Sequence, residues 1–302
     1  MHKTLIVIPA ALAVAVGALA PTGAADNGQP KNIKRPAYGL TGDGSLVRFD
    51  AANPSRAERV GRITGLAAGE RLIGIDFRPV TGELYGLGDK SNLYEIATQS
   101  ARGTMRSSLR TGSGAGLALQ GTRFGIDFNP TVDRLRVTSD ARQNLRVNVD
   151  TGATTVDRAI AYAPADRNAG RQPEPVGVAY TNNDNDQTTG GPLISFGRSP
   201  ATGTKLFTID APRGSLALQD PANDGTLRTV GRLRQRTTSA VGFDVYSYPN
   251  SEGDTASNTA YASLRRGGRA RLYKVSLATG RAKPVRGGGG SFRAVEDIAI
   301  RP

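Results

Sequence analysis

The chain has 302 residues, with 39 Lys and Arg against 26 Asp and Glu and a formal net charge of +13. It carries no Cys and no Trp, and its one His is His2. These counts exclude disulfide scaffolds, Ser-His-Asp and Cys-His nucleophilic catalysis, and the usual zinc, copper and haem ligand sets. A strongly basic balance points instead toward anionic partners.

In chain order, residues 1–25 read as a secretory leader: Lys3, an apolar run from Leu5 to Ala20, then Gly23-Ala24-Ala25, with cleavage expected near Ala25. The apolar run is shorter than the ~20 residues a spanning helix needs. The expectation is a secreted protein with no transmembrane segment. Residues 26–37 are polar and unpatterned, as in a flexible N-terminal arm, and residues 38–302 read as one domain.

Within that domain a short strand returns five times: Gly74-Ile75-Asp76-Phe77-Arg78-Pro79, Gly125-Ile126-Asp127-Phe128-Asn129-Pro130, Gly177-Val178-Ala179-Tyr180, Gly242-Phe243-Asp244-Val245 and Asp297-Ile298-Ala299-Ile300-Arg301-Pro302. Each alternates apolar with small or acidic residues, the period of a strand, and Pro ends three of them. Copies roughly 50–65 residues apart are the spacing of propeller blades built from four strands each. A third-strand pattern, Leu with an apolar residue three places on, recurs at Leu46, Leu93, Leu206 and Leu272, and at Leu145 with the apolar residue shifted by one to Val147. Fourth strands are expected at Arg59–Ile63, Met105–Leu109, Thr154–Ile160, Leu227–Leu233 and Lys283–Arg286. Asp150-Thr151-Gly152 and Ala278-Thr279-Gly280 supply turns.

The ends of the domain are complementary. Tyr38-Gly39-Leu40-Thr41 matches the second strand Leu84-Tyr85-Gly86-Leu87 but has no first strand before it, while Asp297–Pro302 is a first strand with nothing after it. Joined, they finish one unit and remove two open sheet edges. The expected fold is all-β, a five-bladed β-propeller closed by pairing of the C-terminal strand with the N-terminal strands. Asn182–Gly191 and Ser247–Ser257 are expected to be polar insertion loops.

The two Gly-Ile-Asp-Phe-x-Pro copies, the run Asn129-Pro130-Thr131-Val132-Asp133-Arg134-Leu135-Arg136-Val137, then Gln143-Asn144-Leu145-Arg146, Ala179-Tyr180-Thr181-Asn182-Asn183 and Asn223-Asp224-Gly225-Thr226-Leu227 resemble the domain-of-unknown-function 4394 family of exported bacterial proteins. The resemblance runs from about Tyr38 to Pro302 and departs at Asp184–Gly191, where the loop here is more acidic. It implies a propeller-like pattern and supplies no activity, substrate or catalytic residue.

Two groups of residues are candidate sites. Asp76, Asp127 and Asp244 hold one position in three inner strands, with Asp297 near it in another. Around a central channel they can converge on a hard cation such as Ca²⁺. Equally, each can accept backbone N–H groups from the neighbouring strand and lock blade to blade, which is the favoured reading because a residue repeated in every unit usually serves the repeat. The second group is basic: Arg265, Arg266, Arg269 and Arg271, continued by Arg281, Lys283, Arg286 and Arg293 around Gly287–Gly290, is the best candidate anion patch. Arg232, Arg234 and Arg236 would share one strand face. Asn182–Asp186 spaces oxygens like a calcium loop but has Gln187 and Leu193 where such a loop needs Gly and Glu. Without Trp, the sialidase-type Asp box and the Trp-bearing repeats of quinone dehydrogenases are missing.

The reading that follows is a non-catalytic binding or scaffold module for a protein or an anionic polymer at the cell surface. Nucleic acid is not the expected partner, and the protein is expected to be a monomer. The alternative is a calcium-dependent hydrolase or lyase using the channel carboxylates.

Overall fold

The computed structural model describes residues 35–184, 203–235, 237, 241–287 and 290–302. The leader at 1–25, most of the arm, residues 185–191 of the first insertion, and Arg236 lie outside them.

Alternating apolar residues and Gly-containing turns produce short strands in sequential antiparallel sheets. β1 (Pro36–Thr41), β2 (Ser45–Asp50) and β3 (Asn53–Arg62) form the first. β4 (Leu72–Arg78), β5 (Glu83–Gly88), β6 (Asn92–Ala97) and β7 (Arg102–Ser108) form the second. The third holds β8 (Phe124–Asn129), β9 (Arg134–Ser139), β10 (Asn144–Val147) and β11 (Thr154–Val156). In the fourth, β12 (Ala161–Tyr162) precedes β13 (Pro175–Tyr180), β14 (Leu206–Asp210), β15 (Ser215–Gln219) and β16 (Thr226–Arg232). The fifth contains β17 (Val241–Pro249), β18 (Thr255–Arg266), β19 (Arg269–Val275) and β20 (Ala282–Pro284).

β21 (Val295–Ile300) then returns to the first sheet and pairs antiparallel with β1, Ala37 opposite Ile300 and Gly39 opposite Ile298. The innermost strands β4, β8, β13, β17 and β21 pack on one another in sequence and close the circle. The protein is therefore a five-bladed β-propeller, closed by its own ends, with helical structure confined among the described residues to the short 3-10 turn Gly290–Ala294. Apolar layers between successive blades make up the core, for example Val47, Phe49, Leu272, Phe292 and Ile298 between the fifth blade and the first.

Five blades bring the inner strands so close that a side chain is crowded out at Gly125 and Gly242. A Cβ on Gly242 would lie 2.6 Å from the Ile298 nitrogen, and one on Gly125 3.0 Å from the Val178 nitrogen. This is why Gly precedes Asp by two residues in the repeat.

Four details differ from expectation. Leu206–Ile209 falls in the second strand of its blade, not the third, because the first insertion separates first and second strands there; the third strand is β15. Ser247–Ser257 is not a loop: β17 and β18 stay paired, with one register shift after Tyr248, up to Pro249 opposite Thr255, so most of it is an extended hairpin. Arg234 is left-handed (φ 57°) beyond the end of β16, so it does not share a strand face with Arg232. β1 also begins at Pro36, within the expected arm.

The segments leaving the outer strands add a joint that the repeat did not reveal. Thr64 pairs in parallel with Arg102, Arg110 with Ala153, and β12 with β16. The Ala282 N–H likewise donates to the Leu233 carbonyl at 2.9 Å. Each connector thus stitches onto the rim of the blade that follows.

Candidate functional site

The channel carboxylates are fixed by the inner strands. Asp76 Oδ2 accepts the Phe128 N–H at 2.7 Å, Asp127 Oδ2 the Tyr180 N–H at 2.8 Å, and Asp244 Oδ2 the Ile300 N–H at 2.5 Å. Each acceptor therefore belongs to one blade and its donor to the next inner strand. Ala179 and Ala299 occupy the same level in the two remaining blades, so the ring holds three carboxylates and two methyl groups. Asp297 sits two residues earlier in its strand, where the other blades have Gly. Its Oδ2 accepts the Ile75 N–H at 2.8 Å, one layer along the channel.

Burial pushes all four carboxyls up. Asp76 and Asp127 stand well above the usual range, through desolvation and then the neighbouring acids. Desolvation raises Asp244 to about 7 and Asp297 to about 8, opposed by the backbone N–H groups that favour the charged form.

Asp76, Asp127 and Asp244 each bring an oxygen within 4.8 Å of the others, so these three could share a cation, while Asp297 stands outside the group. The fit to Ca²⁺ is incomplete, since calcium takes roughly six to eight oxygen ligands. The described residues bring three carboxylates there, and at least one oxygen of each already serves a backbone donor. The adjoining cavity, lined also by Asn183, measures about 10 Å³, room for a water-sized occupant and not for a substrate. The arrangement is a set of blade locks.

The family-like motifs meet at a second buried network. The side chain of Arg136 is 1% exposed. It donates to Asp157 Oδ2 at 2.7 Å, to Asn144 Oδ1 and Asn223 Oδ1 at 2.8 Å each, and to the Tyr180 hydroxyl at 3.2 Å. Arg146 donates to both oxygens of Asp157. Residues from the third and fourth blades are thereby bound to one guanidinium, and Tyr180 joins it to the Asp127 lock.

The basic residues divide. Arg265 is ion-paired with Glu296. Arg266 and Arg269 face each other at the β18–β19 tip, and Arg271 follows on β19, all exposed. At the opposite end of β19, Lys274, Arg281, Lys283 and Arg286 line a groove of about 1000 Å³, with Arg234 entering from the segment after β16. Among the described residues, no acidic and no aromatic side chain lines it. Lys274 was not singled out by the sequence. Counting the turn between the expected third strand at Leu272–Val275 and the fourth at Lys283 would have placed it opposite Lys283.

A family profile described as "Domain of unknown function (DUF4394)" matches residues 45–299. The chain belongs to this family. No curated protein matches it. Among solved structures, it is similar to the Dos1 propeller, at 11% identity and a TM-score of 0.35, over 80% of this chain and 54% of that one. A protein of unknown function from Bacteroides thetaiotaomicron shares 13% identity, with a TM-score of 0.42 over 83% of this chain and 57% of that one. A putative 6-phosphogluconolactonase from Bacteroides uniformis shares 11% identity, with a TM-score of 0.39 over 88% and 99%. The chain spans little more than half the length of the first two. Such distant likenesses say nothing about what this member of the family does.

Proposed function

We propose that this propeller is a non-catalytic binding module for an anionic polymer, acting outside the cytoplasm where its leader-like segment would send it. The observation that carries this reading is the groove at the end of β19. Five cationic side chains line about 1000 Å³ with no carboxylate among them. None of the five forms an ion pair with a described acidic residue, whereas Arg78, Arg136 and Arg265 do. A concentration of unneutralised like charge along a concave surface raises the local concentration of anions. No substrate-sized space adjoins the buried carboxylates among the described residues, so the groove is where a ligand can be met.

Retention on a sulfated-polysaccharide matrix tests the reading. The wild-type chain should be held at low salt and released as ionic strength screens the groove. Changing Arg281 and Arg286 to Ser should lower the salt needed for release, and changing Arg266 and Arg269 to Ser should have the smaller effect. Absence of retention at low salt would refute the proposal.

A further inference from the structure

Within the groove, β19 and β20 pair antiparallel with Lys274 directly opposite Lys283. Directly opposed residues of an antiparallel pair project from the same face, and like charges there destabilise the sheet. Neither lysine has an acidic partner among the described ion pairs, and the Lys274 ammonium instead lies 6.0 Å from the centre of the Tyr261 ring. The pair is therefore a repulsive contact that a bound anion would turn into an attractive one.

Three further observations narrow the anion. First, the groove far exceeds a single small ion, and Arg234, Arg281 and Arg286 extend the positive lining beyond the lysine pair. Successive charges on one ligand would satisfy it. Second, among the described residues no aromatic ring lines the groove, so they give it no platform on which nucleobases could stack. Third, the outer edge of β20 offers no N–H to an added peptide strand: the Ala282 N–H is used by Leu233, and Pro284 has none. Two facing ammonium groups act as point charges and suit a tetrahedral anion that accepts from several directions, and the forks of Arg234, Arg281 and Arg286 match further phosphoryl groups along one ligand.

We propose that the groove holds a linear phosphate polymer with an acyclic backbone, one phosphoryl group being clamped between Lys274 and Lys283. This rests on the binding reading above and names the ligand class for the same site. Inorganic polyphosphate and a poly(glycerol phosphate) share that chemistry.

The experiment is isothermal titration with four polymers: inorganic polyphosphate, poly(glycerol phosphate), poly-glutamate and oligothymidylate. Each is titrated into wild type, a Lys274→Gln/Lys283→Gln variant and a Lys283→Glu variant. One or both phosphate polymers should bind more tightly than poly-glutamate and oligothymidylate, and which of the two binds better identifies the source. The double Gln variant should weaken that binding at least ~10-fold and lower the salt slope by roughly one, since the pair clamps one phosphate and each neutralised phosphate contributes one counterion step. Lys283→Glu should abolish binding while raising the melting temperature of the free protein, because it replaces repulsion by an opposite-charge pair.

If poly-glutamate binds as tightly and is weakened equally, the phosphate assignment is wrong and the groove reading stands. Binding of every polymer unaffected by either variant would overturn both. A fall in the melting temperature of free Lys283→Glu would contradict the repulsive contact on which the clamp depends.

Discussion

The buried guanidinium of Arg136 offers a demanding test of how the blades are joined. Replacing it by Met keeps the length and apolar stem but removes donors to Asp157, Asn144, Asn223 and Tyr180. Breaking one side of a buried ion pair costs about 3–5 kcal/mol, because the remaining charge is left uncompensated. Arg146 still contacts Asp157, which places this contribution near the lower end, about 3 kcal/mol. The buried Asn144 oxygen loses its charged donor and keeps only the long 3.4 Å contact from the Gln219 amide, which adds about 1 kcal/mol, while the exposed Asn223 can turn to water. A total on the order of 4 kcal/mol corresponds to a fall of about 8–16 °C for a domain of this size. Calorimetric melts of wild type, Arg136→Met, Asp157→Asn and the double variant give both the cost and the coupling, and Arg136→Lys serves as a milder substitution. A folded Arg136→Met protein melting within ~2 °C of wild type would refute the network's role, given the conversion above.

Other predictions concern the channel and the closure. Asp127→Ala should cost about 1–3 kcal/mol through the stranded Tyr180 N–H, and Asp127→Asn much less because its amide oxygen can still accept; equal costs would argue against a lock. The folded-state values of Asp244 and Asp297, about 7 and about 8, exceed the unfolded value, so the stability these groups confer is complete below about pH 4 and is lost as pH rises through 7 and 8. Thermal melts should therefore show a higher melting temperature at pH 5 than at pH 9, with Asp244→Asn flattening the difference; a rise toward pH 9 would contradict the burial argument. Millimolar calcium at pH 8 should leave the melting temperature unchanged, since a ligand stabilises only as far as it binds the folded state. A calcium-dependent rise that Asp127→Asn removes would instead make the ring a metal site. A chain ending at Ala294 loses β21 and should melt without a cooperative transition; an unchanged melt would sink ring closure.

The architecture was legible because each blade repeats one signal. The Gly-x-Asp spacing of the inner strands records both the close approach at Gly242 and the acceptor at Asp244. The unmatched strands at Tyr38 and Ile298 record how the ring closes. Departures arose where a non-repeating feature shifted the count, as when the insertion after Tyr180 moved Leu206 into a second strand. Connector pairings such as Thr64 with Arg102 involve single residues and leave no period to read.

The candidate site was half legible. Three of the four acids do converge, but their hydrogen bonds to the next strand depend on three-dimensional register. Arg265 belonged to the basic run, yet its charge is matched by Glu296, which only the closing strand brings near. Lys274 shares β19 with Arg269 and Arg271 and acquires its meaning from the residue facing it across β19 and β20.

Lysine acetylation footprinting, read by mass spectrometry with and without inorganic polyphosphate, tests the groove assignment most directly. Lys274 and Lys283 should be protected by the polymer, while Lys90, whose ammonium donates to the Ala68 carbonyl elsewhere in the ring, keeps its reactivity. Bound polymer that leaves Lys274 and Lys283 as reactive as in the free protein would place the ligand somewhere other than this groove.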